Sequence, residues 1–136
     1  MAVARPLNRT ERRLYQRLEK VLPGGEVIRG AVVAFIGPRP GWEGLGSVFG
    51  ALGILFVRGK RKRSAIAVTD QGVVRVPLTP GGKPGGVADR YSLSELGPIE
   101  HTGLELWLEL AGQRYWVEGV YGNELLKMRR LREQAC

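Results

Sequence analysis

The sequence predicts an α+β domain that is mainly β, with an amphipathic helix at each end. Three observations carry this expectation. Leu14, Leu18 and Leu22 recur at helical spacing near the N-terminus, Leu104 to Leu110 alternates strictly between leucine and other residues, and Leu125, Met128 and Leu131 restore a helical period near the C-terminus. With 136 residues, 43% hydrophobic and 25% charged, the chain has the length and composition to bury one core. The expected organisation is an N-terminal helix over residues 1–25 followed by one domain over 26–136, interrupted by an apolar insert at 42–57.

The first helix is bounded by chemistry as well as by period. Asn8 and Glu11 have the spacing of a capping box, Tyr15 and Val21 extend the leucine stripe, and Pro23-Gly24-Gly25 ends it. Arg9, Arg12, Arg13, Arg17 and Lys20 occupy the outer face. Glu26 to Ile36, rich in Val and Ile, predicts a strand that stops at Gly37-Pro38-Arg39-Pro40-Gly41. Ser64 to Thr69 and Val73 to Leu78 predict a hairpin joined by Asp70-Gln71-Gly72, a three-residue connection whose glycine can take a left-handed conformation. Pro77 has no ladder donor, so the second strand ends there or lies at an edge. Ala88 to Ser92 predicts a short strand and Ser92 to Leu96 a capped turn, with Glu95 three residues after Ser92. Leu104 to Leu110 and Arg114 to Val120 predict a second hairpin around Ala111-Gly112-Gln113, and Glu124 to Gln134 predicts the closing helix, with Lys127, Arg129, Arg130 and Arg132 outward.

Twenty-one Lys and Arg against thirteen Asp and Glu give a net charge of +8. The excess is confined to one half: residues 1–63 hold thirteen basic and four acidic residues, residues 64–136 eight and nine. Such a basic half attracts phosphate-bearing surfaces, whether lipid or nucleic acid. The densest cluster is Arg58, Lys60, Arg61, Lys62 and Arg63, and it directly follows an uncharged apolar run, Gly44 to Val57. That run is short of the roughly twenty residues a spanning helix needs. An apolar stretch followed by cations is the construction of an interfacial membrane segment, at about 1 kcal/mol per cation near an anionic surface. A solvated basic turn beside a segment folded back over the domain is the plainer alternative.

Catalytic chemistry is sparse. The chain has one His, His101, and one Cys, Cys136, so a His/Cys metal cluster and an internal disulfide are both unavailable to it. Gly81 to Gly86 resembles a phosphate loop only in composition, because its lysine lies between glycine pairs and strand-like residues follow. No apolar signal stretch opens the sequence, and the expected location is the cytoplasm, with the inner face of the membrane as its place of action.

Three stretches resemble the bacterial pleckstrin-homology-like domains, small proteins related to the PH and GRAM folds. These are SAIAVTDQGVVRVPL (Ser64 to Leu78), DRYSLSELGPIEH (Asp89 to His101) and LELWLELAGQRYWVEGVYGNELLKMRRL (Leu104 to Leu131); GPRPGWEGLG (Gly37 to Gly46) is similar to some members as well. The resemblance implies a strongly bent, seven-stranded antiparallel sheet or partly open barrel, plugged at one end by the C-terminal helix. Six strands are legible, which leaves the seventh to come from Leu52 to Val57 or from a division of Glu26 to Ile36. In eukaryotic relatives the basic loop between the first two strands can hold phosphoinositide headgroups, and Arg58 to Arg63 occupy that place here. The expected function is a non-catalytic, cofactor-free binding module. Arg58, Lys60, Arg61, Lys62 and Arg63 would meet anionic lipid headgroups, while Trp42, Leu45, Phe49, Leu55 and Phe56 insert. The alternative is a protein interaction or self-assembly module, a homo-oligomer included, with the same apolar residues at the interface. Nucleic acid ranks below both, since Trp107 and Trp116 stand among Glu105, Glu109 and Glu118, which repel a phosphate backbone.

Overall fold

A computed structural model describes residues 7–22, 24–36, 62–79, 81, 83–85, 88–102 and 105–135. Helix α1 (Arg9–Val21) starts at the expected capping box: the Asn8 side chain accepts from the Glu11 N–H at 2.8 Å, and the Glu11 carboxylate accepts from the Asn8 N–H at 2.9 Å. Leu14, Leu18 and Leu22 are buried, each contributing roughly 1.5–3 kcal/mol. Val21, placed with them by spacing, instead points out at the last turn and is 41% exposed.

Among the described residues seven strands follow: β1 (Ile28–Ile36), β2 (Lys62–Thr69), β3 (Gly72–Pro77), β4 (Asp89–Tyr91), β5 (Leu96–His101), β6 (Leu106–Leu110) and β7 (Gln113–Val117). They form one antiparallel sheet in the order β4-β3-β2-β1-β7-β6-β5, open at β4 and β5. β1 is central, and its near-continuous run of buried residues from Gly30 to Phe35 reflects cover on both faces. Helix α2 (Gly122–Ala135) buries Leu125 and Met128 against the sheet and half-buries Leu131. A Cβ on Gly30 would stand 2.9 Å from Met128 Cγ, which marks the face of β1 on which α2 lies. The leucines of α1 join the same core as Val32, Ile66, Leu108, Tyr115 and Leu125.

Four expectations are corrected. The seventh strand is Leu96–His101, taken in the sequence for the tail of a turn; β1 is undivided, and residues 52–57 lie outside the described residues. Gly97-Pro98 hid it, and the edge position with a register shift between Leu96 and Ile99 is what lets a proline sit there. The β2–β3 connection is a two-residue turn, because Gly72 already pairs with Thr69, although its φ of +132° is positive as expected. The strand expected to reach Val120 stops at Val117, and Gly119–Tyr121 forms a 3-10 turn that buries Tyr121 and exposes Val120. The closing helix begins at Gly122, two residues early.

The entry to β1 is tied to the far edge of the sheet. Glu26 accepts two hydrogen bonds from the Arg90 guanidinium, at 2.6 and 3.1 Å, and one from Thr69 Oγ1. Its side chain is 3% exposed, while that of Arg90 is 45% exposed. The Arg90 hydrogen bonds hold the Glu26 pKa below the ordinary carboxylate range, against an opposing push from desolvation, with Thr69 and the Arg90 charge adding to the lowering. A carboxylate depressed in the folded state stabilises fully above its unfolded pKa, about 4.3, and loses that contribution as pH falls through the folded value. Urea unfolding of the wild type should therefore lose more stability than Glu26→Gln between about pH 5 and about pH 3; parallel pH profiles would contradict this.

Glycine positions give a second check. A Cβ on Gly72 would lie 2.7 Å from the Tyr91 carbonyl oxygen at an unfavourable φ, whereas Gly112, at φ +82°, has nothing within 4 Å. Gly72→Ala should cost about 3 kcal/mol or more, combining backbone strain with displacement of β4, and Gly112→Ala about 1 kcal/mol. Denaturant midpoints that fail to separate the two would contradict the turn geometry.

Candidate functional site

Antiparallel pairing fixes where the β1–β2 connection starts and ends. Ile36 pairs with Lys62, so residues 37–61 leave and re-enter the sheet at neighbouring points. Arg58, Lys60, Arg61, Trp42, Leu45, Phe49, Leu55 and Phe56 fall in that stretch, outside the described residues. Lys62 is the first residue of β2. Arg63 is held: its guanidinium donates to Glu118 at 2.7 Å, and its Nε is buried without a partner. The carbonyl of Arg63 also accepts from the Leu78 N–H at 3.0 Å, which brings the start of the glycine-rich β3–β4 loop beside the end of the basic tract.

Glu118 belongs to a corner that joins two features far apart in sequence. Tyr121 is buried there, and its pKa is raised, chiefly by burial; the charges of Glu118 and Glu11 push it further up while those of Arg63 and Arg17 pull it down. The charges of Arg17 on α1 and Arg63 on β2 thus both favour the ionised form of the same phenol, against Glu118 and Glu11. On α1, Arg9, Arg12, Arg13 and Lys20 are exposed.

The placement of α1 is set by a polar cluster that sequence patterns did not reveal. Glu124, 1% exposed at the start of α2, accepts from the Tyr15 hydroxyl and, at 3.3 Å, from the Ala31 N–H of β1. Lys127 Nζ is 2.8 Å from its other oxygen and donates to the Tyr15 hydroxyl at 3.3 Å. Burial, followed by the hydrogen bond to Glu124 and the charges of Glu124 and Glu11, drives the Tyr15 pKa far upward, so the phenol stays a donor. Across the sheet, Arg75 donates to Asp89 and, at 3.2 Å, to Ser64 Oγ. Desolvation opposes the Arg75 charge, while Asp89, Tyr115 and Tyr91 favour it, and the result is a raised pKa.

On the second hairpin the register places a row of side chains on one face. Phe35 pairs with Arg63 and with Trp116, Trp116 with Trp107, and Trp107 with Glu100. Residues directly opposite in neighbouring strands share a face, so Arg63, Phe35, Trp116, Trp107 and Glu100 cross four strand boundaries in line. Leu108, Tyr115 and Val117 are on the other face, in the core. The Arg114 guanidinium lies 3.9 Å from the Trp107 ring centroid and 6.0 Å from that of Trp116, and bonds Glu109 at 3.1 Å. Sequence alternation put both tryptophans outward; the pairing that makes them neighbours comes from register.

Among the described residues no group of three or more His, Cys, Asp or Glu is placed to hold a metal ion, and no helix is long and apolar enough to cross a membrane. Comparison of the chain with protein-family models, with curated proteins and with solved structures found no match.

Proposed function

We propose that the chain is a non-catalytic binding module of pleckstrin-homology-like architecture that associates peripherally with anionic membrane surfaces. The strand count, the single antiparallel sheet and the C-terminal helix support the architecture. The observation that carries the function is the concentration of cations in residues 1–63, thirteen basic against four acidic, which takes in the exposed Arg9, Arg12, Arg13 and Lys20 of α1 and ends in the basic tract. These two basic stretches flank β1 in the chain. Their charges add in attracting a phosphate-bearing surface, and the apolar residues of 42–57 precede the tract on the same connection.

The roles divide along the chain. Arg58, Lys60, Arg61 and Lys62 are the headgroup contacts, with Trp42, Leu45, Phe49, Leu55 and Phe56 entering the acyl boundary. Arg63 closes the tract and is engaged with Glu118. Neutralising Arg58, Lys60, Arg61 and Lys62 to glutamine while retaining Arg63 leaves that ion pair intact. The full chain should co-sediment with vesicles of phosphatidylcholine mixed equally with phosphatidylglycerol, and not with phosphatidylcholine alone. The fourfold variant should bind the mixed vesicles about tenfold more weakly or worse, given the contribution of each cation near an anionic surface. Equal pelleting of both proteins, or pelleting with neutral vesicles, would overturn the reading.

A further inference from the structure

The outer face of β5–β6–β7 has a chemistry opposite to that of the basic tract. On a chain of net charge +8, this face sets Glu100 and Glu109 around the paired Trp107 and Trp116, with Arg114 as the cation lying on the rings. Both tryptophans are half-buried on a sheet surface, and the Arg114 side chain is 46% exposed. Arg114 shows what the face can hold: one guanidinium rests against an indole while a carboxylate bonds it from the side, the geometry in which a cation–π contact and a charge-assisted hydrogen bond reinforce each other. The Trp116 ring is farther from that guanidinium, at 6.0 Å, and the Glu100 carboxylate, opposite Trp107 in register, has no ion-pair partner among the described residues. The Glu100 carboxylate and, two strands away, the less closely covered indole of Trp116 therefore remain for further cations.

We infer that this face docks a cationic, arginine-bearing peptide segment of a partner protein. The occupant follows from charge complementarity. Glu100 and Glu109 repel an anionic ligand and attract a cationic one, and the indole faces present negative quadrupole to a planar guanidinium. At physiological salt the screening length is about 8 Å, so the local carboxylates and rings decide what binds and charges farther off do not. Arg114 acts as an internal competitor that already covers Trp107.

The test uses the full chain and labelled nona-arginine, with nona-glutamate as the control that the basic surfaces take. Nona-arginine should bind, with a change in tryptophan fluorescence. Glu100→Gln/Glu109→Gln should weaken it about fivefold or more, and Trp116→Leu, which keeps bulk but loses the ring quadrupole, about threefold. Nona-glutamate should bind all of these variants like the wild type. Arg114→Gln is the decisive variant, because damage to the fold does not raise affinity. Removing the internal competitor should tighten nona-arginine binding about twofold or more. Failure of nona-arginine to bind, unchanged affinity in the carboxylate variant, or unchanged or weakened binding by Arg114→Gln would overturn the inference.

Discussion

A carboxylate buried between two helices must find its partners inside the protein, and the position of α1 depends on how Glu124 finds them. Its two oxygens take the Tyr15 hydroxyl from α1, the Ala31 N–H from β1 and the Lys127 ammonium from its own helix. Leaving such a group without a partner costs several kcal/mol, more than a single leucine contributes. The leucine stripe of α1 supplies burial without direction. The Tyr15–Glu124 contact supplies direction: it selects the rotation and height at which the helix docks. In that position Arg9, Arg12, Arg13 and Lys20 are exposed, and the charge of Arg17 acts on the Tyr121 phenol.

From that docking follows a surface of two characters. On β2 the Arg63 guanidinium pairs with Glu118, and on α1 Arg9, Arg12, Arg13 and Lys20 are exposed. On the β5–β6–β7 face, carboxylates surround paired indoles. The two are joined by one line across the sheet, with Arg63 at one end and Glu100 at the other and Phe35, Trp116 and Trp107 between. Because exposed charges farther apart than the screening length act almost independently, one small domain can present exposed cations and an aromatic, carboxylate-lined face without either cancelling the other.

Much of the fold was legible where the signal is local. Asn8 and Glu11 announced α1, the alternation of leucines announced β6, and Val-rich runs announced β1 to β3, since each is set by neighbours within a few residues. β5 was hidden because Gly97-Pro98 breaks the expected pattern, and only an edge position with an irregular register accommodates it. The end of β7 was hidden because Val120 looks like a strand residue until the 3-10 turn exposes it. The site was legible as composition but not as geometry. Arg63 and Glu118 are 55 residues apart, Tyr15 and Glu124 are 109 apart, and nothing local distinguishes Glu124 from any acidic residue at a helix start. The same holds for Trp107 and Trp116: alternation gives the face, and only register gives the pair.

Arg63 separates what the sequence grouped. Five cations in six positions look equivalent, yet the strand fixes Arg63 opposite Phe35 and gives its guanidinium to Glu118. A half-exposed ion pair of this kind adds little stability by itself. Its consequence is electrostatic. Without Arg63, the Glu118 carboxylate would stand uncompensated beside the buried Tyr121, whose phenolate its charge already disfavours. With Arg63 in place, Glu118 is neutralised by a residue that cannot leave the strand. The last arginine of the run thus has its charge committed within the fold, so its place on a strand, and not its local sequence, decides what this cation does.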